Sequence, residues 1–143
     1  MALDRLLELT VLLNDDMTNA LRREGLTVAR THLLWALHQR GPCTQRALAD
    51  ELNVTPRNIT GLVDGLTETG HTRREPHPTD RRSTLVTLTP TGALVMKGMA
   101  RGRLSLATRL FGELSPAELE AFAGTAAHVS ARLRDALATE DER

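Results

Sequence analysis

Residues 41–92 decide the fold of this chain, and they read GPCTQRALADELNVTPRNITGLVDGLTETGHTRREPHPTDRRSTLVTLTPTG. Thr44 and Thr55 each stand just before an apolar-periodic segment, in the position of a helix N-cap. Pro56 follows the second cap at the first helical position, where a backbone N–H would have no helical partner. With a tight turn at Asn53-Val54, this pattern predicts two short helices in succession.

The second of these predicted helices is amphipathic. Its apolar residues recur at i, i+3, i+4 and i+7, which places them on one buried face: Ile59, Leu62, Val63 and Leu66. The opposite face carries polar or small residues, namely Arg57, Asn58, Thr60, Gly61, Asp64 and Glu68. Small polar groups beside an arginine can enter a DNA major groove, where they meet phosphates and base edges. A polar face that is simply solvated is the alternative interpretation.

The remainder of the stretch predicts a β-hairpin. Residues 83–89 are β-branched and roughly alternating, residues 71–75 form a polar strand, and two prolines predict a loop over residues 76–82. The hairpin carries four arginines against two carboxylates: Arg73, Arg74, Arg81 and Arg82 against Glu75 and Asp80. A guanidinium at the hairpin tip can enter a narrow minor groove. A tip that serves only solubility is the alternative.

Helices are predicted on both sides of this central unit. One covers residues 2–23 by its apolar spacing, and a second follows the cap Thr27. Two more begin after Thr89-Pro90 and Ser115-Pro116, which repeat the pattern of a hydroxyl cap followed by proline.

The first and last of these helices carry long apolar stripes, from Leu3 to Leu21 and from Leu119 to Leu137. Exposed stripes of this size exceed what monomers usually tolerate, so we expect a homodimer; a single compact helical core per chain is the alternative. The pattern therefore predicts a mostly α fold with a minor β part. Residues 27–89 form a winged helix-turn-helix lobe with a two-stranded wing, and residues 1–26 and 90–143 form a helical dimerisation region of one intertwined domain.

Composition excludes several other classes of protein. The 143 residues hold 18 basic and 18 acidic side chains, so bulk charge gives no argument for nucleic acid or membrane binding. The chain lacks nucleotide-binding, hydrolase and zinc-protease motifs, so we expect no enzyme, no catalytic residue and no cofactor. Five histidines without i, i+4 pairs and the single Cys43 predict no metal site. Without a long apolar run or a signal-like N-terminus, we expect a cytoplasmic protein with no membrane partner.

The central stretch resembles the MarR (multiple antibiotic resistance regulator) family of winged-helix transcriptional regulators. The positions that match the family pattern are Gly41, Pro42, Thr44, Leu48, Ala49, Thr55, Leu66, Gly70, Arg74, Asp80, Arg82, Leu88, Thr89 and Gly92. The sequence departs from the pattern at Thr67, where glutamate is usual, and at His71-Thr72, where two apolar residues are usual.

The resemblance implies a homodimer with interlocked terminal helices that binds a pseudo-palindromic operator in double-stranded DNA. It makes Arg82 the minor-groove arginine, and it makes Asp80 a brace of the wing that pairs with Arg74 or Arg81. The helix from Thr55 to about Asp64 would lie in the major groove. The residues expected to contact DNA are Thr44, Thr55, Arg57, Asn58, Thr60, Gly61, Asp64, Arg74, Arg81 and Arg82.

Family members commonly release DNA when they bind a small aromatic or anionic compound, and most act as repressors. The resemblance places such a site among Met17, His32, Trp35, Met96 and Met99. Ordinary core packing is the alternative for the methionines and the tryptophan. A winged helix used only for protein–protein assembly is the alternative function, and the wing arginines and the polar helix face argue against it.

Overall fold

The computed structural model describes residues 1–141 of the chain. The elements in this part are six helices and three strands: α1 Ala2–Arg23, α2 Val28–Arg40, β1 Cys43–Thr44, α3 Gln45–Leu52, α4 Pro56–Glu68, β2 Thr72–Pro76, β3 Thr84–Leu88, α5 Pro90–Phe111 and α6 Pro116–Asp141. The chain divides into two compact units, residues 1–100 and the part from Arg101 onward. The sequence-based domain limits stay a prediction, and the last two residues of the 90–143 range lie outside the described residues.

Threonine caps fix where three of the helices begin. The hydroxyl oxygens of Thr27, Thr44 and Thr55 each accept a hydrogen bond from the backbone N–H three residues on, at 3.2 Å. Each cap gives a partner to an N–H that the helix itself cannot satisfy. Pro56 occupies the first position of α4. The predicted starts of these helices are confirmed.

The core of the first unit lies where α2, α3 and α4 meet the sheet. Its fully buried side chains come from every one of these elements and from α5: Leu33, Leu34, Leu48, Ile59, Val63, Leu66, Val86 and Met96. The predicted stripe of α4 is therefore buried, except that Leu62 lies only half-buried at its edge. Packing of this stripe holds α4 with its polar face outward.

The sheet has three antiparallel strands in the order β1-β3-β2, so the predicted two-stranded wing is confirmed as the β2–β3 hairpin and β1 is an additional, unpredicted strand. The hairpin pairs Arg74 with Val86, and the additional strand β1 pairs Cys43 with the same Val86. Two residues are too few to produce a detectable alternation, which is why β1 was missed. Because β1 precedes α3 directly, it ties the start of that helix to the base of the wing.

Polar side chains occupy the base of the wing, where the sequence departs from the family pattern. Thr72 and Thr67 share a hydrogen bond between their hydroxyls at 3.2 Å, and Thr67 also donates to the Val63 carbonyl. The Nδ1 atom of the buried His71 lies 2.7 Å from the Thr69 hydroxyl. Burial of these polar groups is tolerated because each has a partner.

The start of α5 is fixed against this base. The Thr89 N–H donates to the His71 carbonyl at 3.1 Å, and the Thr89 hydroxyl donates to the Gly70 carbonyl. Gly92 is buried and lies close to the His71 carbonyl. A Cβ added at position 92 would lie only 2.0 Å from the His71 oxygen. A side chain at this position would separate α5 from the wing.

Large apolar side chains are exposed on α1 and α6. On α1 they include Leu3, Leu6, Leu7, Leu9, Val11, Leu12 and Leu13, and on α6 they include Leu119, Phe122, Val129, Leu133 and Leu137. In the second unit, the Phe111 and Phe122 rings pack with centroids 5.6 Å apart. Within residues 1–141, no helix combines the length and the apolarity that a membrane crossing demands.

Candidate nucleic-acid interface

The outward face of α4 gathers most of the residues expected to contact DNA. Thr55, Arg57, Asn58 and Gly61 are exposed, and together with Leu62 they line an open depression of ≈ 510 Å³. Leu62 packs against the core at the edge of the buried stripe, as predicted, and its remaining exposed surface lies in this depression. An apolar side chain beside polar groups is a combination that can contact a thymine methyl group next to base-edge donors and acceptors.

The predicted threonine contacts differ in how free their hydroxyls are. Thr44 and Thr55 accept bonds as helix caps, which leaves each O–H hydrogen available to donate to a phosphate. Thr60 instead donates to the Pro56 carbonyl at 2.9 Å and accepts from Gln45 Nε2 at 3.2 Å. The Thr60 hydroxyl is therefore already engaged within the protein.

Arg74 links the wing to both helices of the helix-turn-helix. Its Nη2 atom donates to Asp64 Oδ1 at 2.6 Å, and its Nε and Nη2 atoms donate to Gln45 Oε1 at 3.1 and 2.9 Å. Arg74 and Asp64 were both predicted to contact DNA, yet here each neutralises the other. Gln45 was missed, because its partners lie 15 and 29 residues away and leave no local signal in the sequence.

Asp80 closes the turn of the wing by local hydrogen bonds. Its carboxylate accepts from the Arg82 N–H at 3.0 Å and from the Ser83 hydroxyl at 2.9 Å. The backbone bond from Arg82, with help from Ser83, holds the pKa of the Asp80 carboxyl below its ordinary value. The predicted ion pair of Asp80 with Arg74 or Arg81 is wrong, because short-range bonds to the turn occupy this side chain.

His77 supports the same turn from the end of β2. Its Nδ1 atom accepts from the backbone N–H groups of Thr79 and Asp80 at 3.2 and 3.0 Å. The side chains of Asp80 and His77 thus hold the backbone of the loop that contains Arg81 and Arg82.

The four wing arginines fall into two pairs. Arg73 is bonded to Glu75 at 2.7 Å, and Arg74 is bonded to Asp64. Arg81 and Arg82 are exposed at the tip, and neither makes an ion pair with any side chain that the structure describes, those of residues 1–139. The uncompensated positive charge of the wing is therefore at its tip.

The residues expected to bind an effector differ in how exposed they are. Met17 and His32 are exposed, Trp35 and Met99 are half-buried, and Met96 has 0% exposure within the core. A ligand could touch Met96 only if that core opened. Trp35 packs edge-on against His38, with ring centroids 5.6 Å apart.

Cys43 lies in β1 and is buried at 8% exposure. Burial raises the pKa of its thiol, although the nearby Arg40 opposes this shift. A raised pKa keeps the group as the unreactive thiol at neutral pH.

No grouping of three or more potential metal ligands exists in the part of the chain that the structure describes.

Comparison with known proteins finds similarity to one family. The MarR family profile matches residues 26–84. The repressor MdtR of Bacillus subtilis is 25% identical over 128 residues, which cover 90% of this chain and 80% of MdtR. The activatory protein BadR of Rhodopseudomonas palustris is 32% identical over 103 residues, which cover 70% of this chain and 59% of BadR. These relatives are named as transcriptional regulators and not as enzymes.

Solved structures show the same architecture. The structure of RV1404 from Mycobacterium tuberculosis has a TM-score of 0.76 at 28% identity, covering 89% of this chain and 88% of that one. A mutant of S. aureus MepR bound to an oligodeoxyribonucleotide has a TM-score of 0.69 at 19% identity, covering 93% and 98%, and it shares the fold. In its sequence profile over residues 26–84, its relatives and its winged helix-turn-helix fold, this chain is similar to the MarR family of transcriptional regulators.

Proposed function

We propose that this protein binds double-stranded DNA at specific sequences as a homodimer and represses transcription. In this proposal α4 enters the major groove with its exposed face, and the tip of the wing enters the adjacent minor groove. Each dimer presents two such units to the two halves of a pseudo-palindromic operator. A DNA target requires the protein to act in the compartment that holds the genome, which is the cytoplasm of a bacterial cell.

The observation that carries the proposal is the pair of uncompensated arginines at the wing tip beside the polar face of α4. Arg81 and Arg82 are exposed, whereas Arg73 and Arg74 are bonded to carboxylates. A free guanidinium is attracted to the enhanced negative potential of a narrow minor groove. A surface that served protein assembly alone would not need unpaired cations at the tip of its hairpin.

The homodimer is supported by the apolar side chains of the terminal helices. Leu7 and Leu12 on α1 are 56% and 60% exposed, and Leu133 and Leu137 on α6 are 55% and 54% exposed. At about 25 cal/mol for each Å² of apolar surface, leaving such rows in water is costly. A second copy of the chain would cover equivalent rows on both protomers.

Repression by the protein and relief by a small aromatic or anionic ligand complete the proposal. MdtR is named as a repressor and matches 90% of this chain, whereas BadR is named as an activator and matches 70%. A ligand can release DNA only if it binds the DNA-incompetent conformation more tightly. His32, Trp35 and Met17 are the accessible members of the predicted ligand set.

A titration of labelled duplex with the purified protein tests the proposal. The probe is the DNA upstream of the protein's own gene, and a scrambled duplex of equal length is the comparison. We expect light scattering to give twice the 15.7 kDa chain mass and the upstream DNA to bind more tightly than the scrambled duplex. A monomer, or a protein without affinity for either duplex at low salt, would contradict the proposal and favour an assembly module.

A further inference from the structure

A glycine of α4 lies against an arginine that belongs to another helix. Gly65 is partly buried, and a Cβ built on it would lie 2.4 Å from Nη2 and 2.9 Å from Cζ of Arg30. The guanidinium of Arg30 therefore fills the volume that any other residue at position 65 would use. Arg30 stands in the first turn of α2, three residues after the cap Thr27.

The position of Gly65 puts this guanidinium at the edge of the face proposed to meet DNA. Asn58, Gly61 and Gly65 are spaced i, i+3 and i+7, so they lie along one side of α4. Thr60 and Asp64 lie on the neighbouring strip, which is bonded to Gln45 and Arg74. Guanidinium groups from α2 and from the wing thus border the outer face of α4 on its two flanks.

The charge of Arg30 is uncompensated, unlike that of the arginine on the other flank. Arg74 is bonded to Asp64, and Arg40, at the opposite end of α2, is bonded to Glu51 at 2.6 Å. The side chain of Arg30 makes no ion pair or hydrogen bond with the side chains described, those of residues 1–139, and it remains partly exposed. Simple packing of its aliphatic stem would not require the charged end to lie against α4.

We propose that Arg30 contacts a DNA phosphate at the edge of the major groove entered by α4, and that Gly65 exists as glycine to admit this guanidinium. The planar donor fork of arginine suits two phosphate oxygens at once. The inference rests on the proposed DNA binding, and it adds a contact from α2 to those expected from α3, α4 and the wing. Such a contact carries no base information, so it strengthens binding to every duplex.

The salt dependence of DNA affinity tests this assignment with Arg30→Ala. Loss of one phosphate contact in each protomer should make the negative slope of log K against log salt shallower by about two for the dimer. We expect affinity to fall roughly tenfold for the upstream and the scrambled duplex alike. Arg30→Lys should keep most of the slope, because it keeps the charge. Arg40→Ala removes a paired arginine from the same helix and should leave the slope unchanged.

Gly65→Ala tests the role of the glycine. Its methyl group would displace the guanidinium, so it should weaken binding in the wild-type background and have little further effect in Arg30→Ala. Gly98→Ala is the control, because a Cβ at Gly98 meets nothing within 4 Å.

The outcomes separate this inference from the proposed function. If the wild type binds DNA and Arg82→Ala weakens it, but Arg30→Ala keeps the wild-type slope, the phosphate contact is wrong and the proposed function stands. A loss of affinity at unchanged slope, together with a lower unfolding midpoint, would assign Arg30 to packing and also overturn the inference. If the wild type binds no duplex, the proposed function itself fails.

Discussion

The guanidinium of Arg74 and the carboxylate of Asp64 join the wing to α4, with Nη2 of Arg74 2.6 Å from Oδ1 of Asp64. Gln45 holds the same guanidinium from α3 by two further hydrogen bonds. The orientation of α4 relative to the wing therefore depends on polar contacts as well as on the core. Both partners are partly exposed, so we expect the pair to add only about 0.2–1 kcal/mol to stability.

Replacing Arg74 and replacing Asp64 should have opposite effects on DNA affinity. Arg74→Ala should lower affinity for the specific duplex without changing the salt slope, because the charge that it removes is already neutralised by Asp64. Asp64→Ala should leave the Arg74 charge uncompensated and steepen the slope, with a gain in affinity for scrambled DNA. Titrations at several salt concentrations measure both. A shallower slope in Arg74→Ala would instead show that Arg74 contacts phosphate directly.

Asp80 should support DNA binding by holding the wing turn rather than by its charge. Asp80→Asn keeps an oxygen that can accept from the Arg82 N–H, so it should bind DNA nearly as the wild type does, whereas Asp80→Ala should bind less tightly. Hydrogen bonds lower the pKa of this carboxyl in the folded protein. The stabilisation they give is therefore complete above the ordinary carboxyl pKa and is lost as pH falls through the lowered value. An NMR titration that finds the Asp80 pKa at or above its ordinary value would contradict this account.

Gly92→Ala should destabilise the protein, because its Cβ would lie 2.0 Å from the backbone oxygen of His71. Backbone cannot move aside as a side-chain tip can, so we expect a loss of about 1–3 kcal/mol in the free energy of unfolding. Urea denaturation measures this loss. Gly98→Ala is the matched helical control and should be neutral or stabilising by up to about 1 kcal/mol. Equal unfolding midpoints for the two variants would refute the tight junction between α5 and the wing.

Cys43 should not act as an oxidation sensor. It is buried, and burial raises the pKa of its thiol, which leaves little thiolate at neutral pH. We expect a disulfide reagent to modify the native protein slowly and the urea-unfolded protein quickly. Peroxide treatment should leave DNA affinity unchanged, and a rapid loss of affinity that a reductant restores would reverse this assignment.

Local signals in the sequence predicted much of the fold. The caps Thr27, Thr44 and Thr55 act on backbone groups three residues away, and the α4 stripe follows helical periodicity. Both kinds of signal can be read from the sequence because they depend on residues that are close together in the chain. The two-residue strand β1 was missed because its partner, Val86, is supplied by tertiary pairing.

The candidate site was harder to predict where it depends on distant contacts. The outward face of α4 and the arginines of the wing tip follow from the pattern, but Gln45 and Arg30 gain their places only through elements folded beside them. The error at Asp80 has the opposite cause, because an ion pair was expected where the carboxylate bonds to its own turn. Charge counts in the sequence could not reveal which arginines are neutralised, and that distinction separates Arg73 and Arg74 from Arg81 and Arg82.

The most direct measurement is the affinity of Arg82→Ala for the upstream duplex at fixed salt, beside the Arg73→Ala control. Arg82 is unpaired at the wing tip, whereas Arg73 is bonded to Glu75. We expect Arg82→Ala to keep the wild-type unfolding midpoint and dimer mass but to bind more weakly by about 1–3 kcal/mol, and Arg73→Ala to lose less affinity. Equal affinity of Arg82→Ala and the wild type would contradict the claim that the wing tip enters the DNA.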